Sequence, residues 1–135
     1  MYKLIKILLV LIFSTQAYAY QFEWKLFSTT HRTEFYLDTN NIVEVENYIY
    51  FWSLANNLDE INTSGNPLST LTLNGTNCDS YENSIISYTG YSEFNLKGDI
   101  LINVIIPDVD PSMFKWTKFN KENSFFTILE YICNN

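Results

Sequence analysis

The segment Asn47–Leu54 (Asn-Tyr-Ile-Tyr-Phe-Trp-Ser-Leu) constrains the fold more than any other part of the sequence. It is rich in aromatic and β-branched residues, too short for a stable isolated helix and followed by a polar stretch, which predicts a β-strand. Large apolar side chains occur at both parities, because tyrosine and tryptophan alternate with Ile49 and Phe51. Since a half-exposed strand alternates apolar with polar residues, we expect this strand to be covered on both faces, at the centre of a sheet.

Residues 1–19 have the three parts of a signal peptide. Met1–Lys6 is basic, Ile7–Phe13 is continuously apolar, and Ala17-Tyr18-Ala19 matches an A-x-A cleavage site. A transmembrane anchor needs about 20 apolar residues, so we expect cleavage after Ala19 rather than an uncleaved anchor. No cysteine stands at the cleavage point to carry a lipid. The sequence predicts export to the periplasm, the cell surface or the medium, with no transmembrane segment in the mature chain.

Residues 20–135 have the length of a single domain. Of the eight basic residues in the chain, Lys3 and Lys6 lie in the leader, which leaves six against 15 acidic residues and a formal charge of −9. Binding to nucleic acid depends largely on lysine and arginine at phosphates, so we do not expect it here. Electrostatic attachment to anionic lipid is disfavoured for the same reason.

Cys78 and Cys133 are the only cysteines of the chain. In an exported protein, two well-separated cysteines most simply form a disulfide. Closing a loop of 55 positions stabilises a fold by roughly 4 kcal/mol in the chain-entropy treatment, and this bond fastens the end of the chain to the sheet. A metal site is the competing interpretation, but two cysteines and His31 without C-x-x-C spacing supply too few zinc ligands. We expect no metal and no cofactor.

Most of the chain between Phe22 and Ile106 consists of short β-patterned segments separated by polar turns. Their close spacing predicts an antiparallel meander rather than β-α-β units. In the first segment, Phe22, Trp24 and Leu26 alternate and are expected to share one half-buried face. Asn74-Gly75 fits either a hairpin turn or a bulge. The segments are Phe22–Phe27, Glu34–Asp38, Ile42–Glu46, Asn47–Leu54, Leu68–Leu73, Ser84–Thr89 and Ile100–Ile106.

The last of these segments, Ile100–Ile106, is almost wholly apolar and predicts a well-buried strand. Asn56–Pro67 is polar and predicts an exposed loop. Lys121–Cys133 changes to a helical period, with apolar residues at i, i+4 and i+7, and Asn123 or Ser124 can cap it. The expected fold is α+β and mostly β: a curved antiparallel sheet of about six strands with a C-terminal helix tied by one disulfide.

The sequence has no motif typical of an enzyme. His31 lies in a polar turn, and no G-x-S-x-G sequence provides a nucleophile for it to activate. Asp108 and Asp110 lack the glycine and distal glutamate of a calcium loop, and the other acidic pairs have no cleft assignable from the sequence. We therefore expect a protein that is not an enzyme. Those other acidic pairs are Glu44/Glu46 and Asp59/Glu60.

Aromatic residues are abundant, with ten tyrosines, ten phenylalanines and three tryptophans. Tyrosine and tryptophan are favoured at protein interfaces because they combine a large contact area with a polar group. On this basis Tyr81, Tyr88 and Tyr91 are candidate partner-binding residues. Packing in the core is the alternative role for each of them.

These features, in this order, resemble the surface-adhesin protein E-like family of exported bacterial proteins. The resemblance extends over nearly all of Tyr20–Asn135. Where the family has a Pro-Gly-Ser-like turn before its last helix, this chain has Asn120–Ser124. The residues that carry the resemblance are Trp24, Phe35-Tyr36-Leu37-Asp38 followed by Ile42, the Trp52 strand, Cys78-Asp79, the Tyr88–Tyr91 strand, Trp116 with Phe119, and the helix ending in Cys133.

The resemblance implies an antiparallel sheet with a disulfide-tied C-terminal helix and a role in binding host extracellular-matrix proteins. Our first hypothesis is therefore an exported, non-enzymatic module that holds a host matrix protein or an envelope protein through a sheet face, an edge strand or loops. The second is a periplasmic structural or inhibitor-like protein that inserts Asn56–Pro67 into an envelope partner. The third is a hydrolase that uses His31 or a carboxylate pair. The oligomeric state is not predicted.

Overall fold

The computed structural model describes residues 21–58, 65–105 and 110–135. The predicted leader and the middle of the predicted loop Asn56–Pro67 lie outside them. Short 3-10 turns at Phe94–Leu96 and Pro111–Met113 precede the last two strands. The strands are β1 (Trp24–Thr29), β2 (Thr33–Asp38), β3 (Val43–Val45), β4 (Tyr48–Asn57), β5 (Ser69–Asn77), β6 (Glu82–Tyr91), β7 (Ile100–Ile105) and β8 (Thr117–Lys118), and the helix is α1 (Phe126–Asn134).

All strands belong to one antiparallel sheet in the order β1-β2-β4-β5-β6-β7. The short β3 pairs with the first half of β4, and β8 pairs with the start of β6. With its C-terminal helix and its disulfide, this mostly β architecture confirms the predicted fold class. The central position predicted for Asn47–Leu54 is confirmed too, since β4 lies between β2 and β5.

The two faces of β4 are both covered. On the helix face, which carries Leu37 and Phe51, the hydrophobic core forms against Ile128, Leu129 and Ile132 of α1. On the opposite face, the outer face, Leu54 is buried. Two aromatic groups flank it there: Phe22 stacks on Trp24 and meets Trp52 edge-on, and Tyr48 stacks on Trp116 at 5.3 Å between ring centroids. The expectation of a strand covered on both faces is therefore confirmed.

The predicted face of the first strand is correct in its alternation and wrong in its burial at Leu26. Trp24 pairs with Asp38 and Leu26 with Tyr36, so both side chains lie on one face, yet Leu26 is 47% exposed. The pairing becomes irregular only after Leu26, before Ser28, where Phe27 is an extra residue. Phe27 packs against the core, on Tyr131 at 4.8 Å between centroids. Alternation predicts which side chains share a face, and the packing of other elements decides whether that face is buried.

Asp38, at the end of β2, is a fully buried carboxylate that holds the N-terminal segment in place. Its Oδ1 accepts hydrogen bonds from the backbone N–H of Glu23 (2.9 Å) and of Asn40 (3.1 Å). Its Oδ2 accepts from Asn41 Nδ2 at 2.6 Å. Hydrogen bonds to an ionised acceptor are stronger than neutral ones, so this aspartate joins the start of β1 to the turn after β2.

Asp38→Ala is expected to lower the free energy of unfolding by about 1.5–3 kcal/mol, because it removes charge-assisted hydrogen bonds and leaves their donors unpaired. Urea unfolding followed by circular dichroism measures the loss. Asp99→Ala is the matched control, since Asp99 is exposed, and its effect should stay within about 0.5 kcal/mol. Equal losses in the two variants would contradict the role given to Asp38.

The middle of the sheet departs from the predicted turns at two glycines. Asn74-Gly75 lies inside β5 and is not a hairpin turn; the register shift beside it, between Leu73 and Asn74, leaves Ile86 of β6 as the extra residue. Gly90 lies inside β6, not in the turn predicted after Thr89. A Cβ on Gly90 would come within 2.5 Å of Pro67 Cγ and 2.6 Å of Ile102 Cγ2, so glycine is required there by close packing.

The C-terminal helix begins at Phe126, later than the predicted start at Lys121. Asparagine side chains account for the difference, because they accept hydrogen bonds from backbone N–H groups two residues on and hold the preceding segment in turns. Asn120 accepts from Glu122 N at 3.0 Å, and Asn123 accepts from Phe125 N at 2.9 Å. The predicted apolar face is confirmed by the burial of Phe125, Leu129 and Ile132.

The predicted disulfide is present between Cys78 and Cys133, with 5.4 Å between their Cα atoms. It joins the turn after β5 to the last turn of α1. Beside it, the ring of Tyr81 stacks on Phe126 at 5.2 Å between centroids. The helix is therefore fixed to the sheet by a covalent bond as well as by the core.

Candidate functional site

The most exposed apolar surface of the described residues is strand β7. Its five aliphatic side chains are between 42% and 67% exposed. Its single polar residue, Asn103, accepts a hydrogen bond from Thr89 on the neighbouring strand. An exposed contiguous apolar patch on a folded domain marks an interaction site more often than isolated exposed residues do. The five side chains are Ile100, Leu101, Ile102, Val104 and Ile105.

β7 is an edge of the sheet, because among the described residues it pairs with β6 alone. The prediction of a well-buried strand at Ile100–Ile106 is therefore wrong for the described residues 100–105. A continuous apolar run indicates burial only if elements cover both faces of the strand, whereas α1 packs near β1 at the other end of the sheet. The position of the strand in the meander could have predicted its exposure. The last long strand of a meander has a neighbouring strand on one side only.

The turn that leads into β7 is held firmly. Asn95 donates from its backbone N–H to Asn56 Oδ1 and accepts from Asn56 Nδ2, each at 2.9 Å. The N–H of Leu96 donates to Ser69 Oγ at 2.9 Å. Gly98 adopts a positive φ of 80°, which glycine tolerates without strain. Because the turn is hydrogen-bonded to β4 and β5, it presents β7 in one orientation.

The three predicted partner-binding tyrosines do not form one surface. Tyr81 lies at the tight turn before β6, stacked on Phe126 and partly buried against the core. Tyr91 ends β6, roughly 30 Å away for a ten-residue strand. Tyr88 and Tyr91 both lie beside β7, paired with Val104 and Ile100, whereas Tyr81 does not. Burial raises the pKa of the Tyr88 hydroxyl above 10.0, so this side chain is neutral at physiological pH.

Among the described residues, the acidic side chains considered in the sequence belong to no group of three or more metal-ligating residues. Glu44 is exposed on β3, and Asp59/Glu60 and Asp108 lie outside the described residues. Asp110 accepts hydrogen bonds from the N–H and hydroxyl of Ser112, which lower its pKa. This carboxylate therefore caps a short turn.

His31 is exposed in the turn between β1 and β2 and accepts a hydrogen bond from Arg32 Nε at 3.1 Å. No group of three or more metal-ligating side chains occurs within the part of the chain that the structure describes. Among the same residues, no helix is both long enough and apolar enough to cross a membrane.

Comparison with solved structures places the fold close to protein E of Haemophilus influenzae. One structure of that protein matches with a TM-score of 0.56 and 13% identity, covering 87% of this chain and 88% of that one. Crystal form II matches with a TM-score of 0.52 and 15% identity, over 75% and 80% of the two chains. Protein E from non-typeable Haemophilus influenzae gives a TM-score of 0.54 at 12% identity, over 87% and 80%. At these identities the likeness concerns the fold.

A comparison by sequence with curated proteins finds no match. The sequence profile of the Surface-adhesin protein E family, in contrast, matches residues 24–134. The match runs from the first residue of β1 to the last residue of α1. Both cysteines and all of β7 lie inside it. Because the profile covers most of the sequence, this chain belongs to the Surface-adhesin protein E family.

Proposed function

We propose that this chain is an exported, non-enzymatic binding protein that holds an extended segment of a host extracellular-matrix protein along the β7 edge. The observation that carries the proposal is the exposure of five aliphatic side chains on a strand paired on one side only. Family membership supports an adhesin-like role. The choice of a matrix protein as partner rests on the resemblance to the family.

The chemistry of the edge favours pairing with another strand. Exposed edge strands usually carry charged side chains, above all lysine, or a proline, and these prevent pairing. Ile100–Ile105 contains no charged residue and no proline. A partner strand added to the edge gains backbone hydrogen bonds over about 20 Å, and its alternate side chains meet the apolar surface. β7 therefore has the properties of an acceptor strand.

Charge defines the partner further. With a formal charge of −9 after loss of the leader, the chain attracts a segment that carries lysine or arginine beside its apolar residues. Such attraction speeds association and weakens as salt is added. The occupant that we propose is thus an extended, apolar and basic segment of a partner protein.

Replacing Leu101 and Ile105 by serine is expected to weaken binding to an immobilised matrix protein by at least about tenfold, because two apolar contacts are lost at about 1.4 kcal/mol per factor of ten. Surface plasmon resonance against a panel of purified matrix proteins measures the change. The matched control replaces Leu26 and Val43 by serine, two aliphatic residues that are equally exposed on β1 and β3.

The control variant should bind as the unchanged chain does. Equal weakening in both variants, or binding to no member of the panel, would contradict the proposal. Sedimentation of the chain alone distinguishes a further case. The chain could self-associate, lose this self-association in the β7 variant and bind no matrix protein. That result would mean that the edge binds a second copy of the chain, and it would overturn the proposal of a matrix protein as partner.

The inhibitor-like alternative depends on the loop Asn56–Pro67, of which residues 59–64 lie outside the described chain. No contact of the described residues favours it. The hydrolase alternative is likewise without support, since His31 is exposed in a turn and its described partner is Arg32.

A further inference from the structure

A cavity of about 540 Å³ lies on the helix face of the sheet, beside the core. Its floor comes from β4, β5 and β6, and its walls come from β2 and from the stretch between Lys115 and Phe125, which includes β8. No residue of β7 lines it, so it is a site separate from the edge. Its volume falls in the range of pockets that hold small organic ligands, which is about 300–1,000 Å³.

The floor of the cavity consists of neutral polar side chains. Asn74 Nδ2 donates to Ser53 Oγ at 2.8 Å, and Asn83 Nδ2 donates to Asn74 Oδ1 at 3.0 Å. This network fixes the orientation of both amides. Beside it, Thr70 and Thr72 are only 6% and 8% exposed, and Ser84, which also lines the cavity, has a buried hydroxyl with no hydrogen-bond partner among the described residues.

Buried hydroxyls without partners are costly to a protein. Here, the pairing of Thr72 with Ser53 and of Thr70 with Ala55 puts both threonines on the face that lines the cavity. The two hydroxyls are therefore available to a molecule in the cavity. A ligand with several hydroxyl groups of its own can pair with both, whereas an apolar ligand cannot.

The walls are aromatic. Phe125 lies between Phe35 and Phe119, with ring centroids 5.8 Å and 5.6 Å away. These rings offer apolar surface to one side of a ligand while the amides and hydroxyls face the other. A flat, amphipathic molecule with an apolar side and a hydroxyl-bearing side, such as a sugar ring, matches this division.

The charge of the lining is opposite to that of the chain. Although the protein has 15 acidic residues, none of them lines the cavity. Lys115, exposed at the rim, is the one charged residue in the lining. A cation at the entrance of an otherwise neutral site favours an anionic group on the ligand.

We propose that this cavity binds a sugar ring that carries a carboxylate. The hydroxyls of Thr70 and Thr72 pair with the ring hydroxyls, the phenylalanine walls cover the apolar side, and Lys115 contacts the carboxylate. The inference is independent of the β7 edge, because the two sites share no residue.

The test is titration of the folded, disulfide-bonded chain with D-glucuronate, followed by amide chemical-shift changes in two-dimensional NMR. We expect saturable shifts confined to residues that line the cavity. Methyl glucoside, which lacks the carboxylate, should bind at least about fivefold more weakly, since a charge-assisted hydrogen bond is lost. Acetate, which lacks the ring, should produce no saturable shift there.

Two variants test the contacts. Lys115→Gln is expected to weaken glucuronate binding about fivefold to tenfold and to leave methyl glucoside unchanged. Its matched control is Lys118→Gln, because Lys118 lies three residues further along the chain, in β8, and outside the cavity lining. Thr72→Val removes one hydroxyl with little change of shape and should weaken both sugars.

Two ligand sources are possible, a free sugar acid and the end of a polysaccharide, and an oligosaccharide that ends in glucuronate separates them. Shifts with both compounds support a site that accepts chain ends, and shifts with the monosaccharide alone support a site for the free acid. The proposal is overturned if no sugar shifts the cavity residues at concentrations of about tens of millimolar. It is equally overturned if Lys115→Gln and Lys118→Gln have the same effect.

Discussion

Replacing Cys78 and Cys133 by serine lowers the free energy of unfolding by roughly 4 kcal/mol, one of the two largest effects that we expect in this protein. The bond closes a loop of 55 positions and so removes conformational freedom from the unfolded chain. For a domain whose total stability is about 5–15 kcal/mol, that loss is severe. The expected variant unfolds at much lower urea concentration than the unchanged chain.

The loss of stability should affect the C-terminal helix first. α1 is nine residues long, which is too short to be stable alone in water. Its retention depends on the disulfide and on the burial of Ile128, Leu129 and Ile132. We therefore expect the double variant to lose helical circular dichroism before the signal of the sheet.

Reduction with dithiothreitol supplies the control. It should bring the unchanged chain to the stability of the double serine variant and leave that variant unaffected. If oxidised and reduced chains unfold at the same urea concentration, the disulfide does not stabilise the fold and the role given to it here is incorrect.

Phe51→Ala is expected to cost about 3–5 kcal/mol, the usual range for removal of a fully buried phenylalanine ring. Phe51 is completely inaccessible to solvent at the centre of β4. Its ring faces Phe125 at 6.3 Å between centroids, so the substitution opens a cavity between the sheet and the segment that begins α1. Urea unfolding at constant pH measures the difference.

Ile105→Ala is the matched control for Phe51→Ala. Ile105 lies on β7 and is 67% exposed, so its substitution should change stability by no more than about 0.5 kcal/mol. The two results together separate the core strand from the edge strand. A large loss in Ile105→Ala would mean that β7 is buried in solution, and it would contradict the exposure on which the binding proposal rests.

The features predicted correctly from the sequence are those set by local pattern or by covalent chemistry. The strand around Phe51 was identified from apolar residues at both parities, and the helix around Leu129 from its spacing. The pairing of Cys78 with Cys133 followed from their being the only two cysteines. Each of these signals is contained in the sequence itself and does not depend on what packs beside it.

The features that were missed depend on the rest of the molecule. Ile100–Ile105 has the pattern of a buried strand, yet nothing among the described residues covers it, so tertiary context decides its exposure. Leu26 lies on its predicted face but is exposed for the same reason. The late start of α1 depends on neighbouring side chains, because Asn120 and Asn123 compete with the helix for backbone N–H groups.

The candidate sites were the least predictable part. Tyr81, Tyr88 and Tyr91 were chosen for their residue type, and two of them, Tyr88 and Tyr91, lie next to the exposed edge. The cavity near Thr72 joins polar positions of three strands with Lys115 from a later segment. Separately, these residues look like ordinary strand and loop positions, and only the packing of the chain brings them together.

The most direct test of the β7 proposal is amide hydrogen exchange of the chain, free and bound to the matrix protein that binds it most tightly. Pairing with a partner strand should slow exchange in β7, whose outer edge is unpaired among the described residues of the free chain, and leave β1, the opposite edge, unchanged. Protection at β1 or in the loops with unchanged exchange in β7 would contradict the proposal that this edge holds the partner.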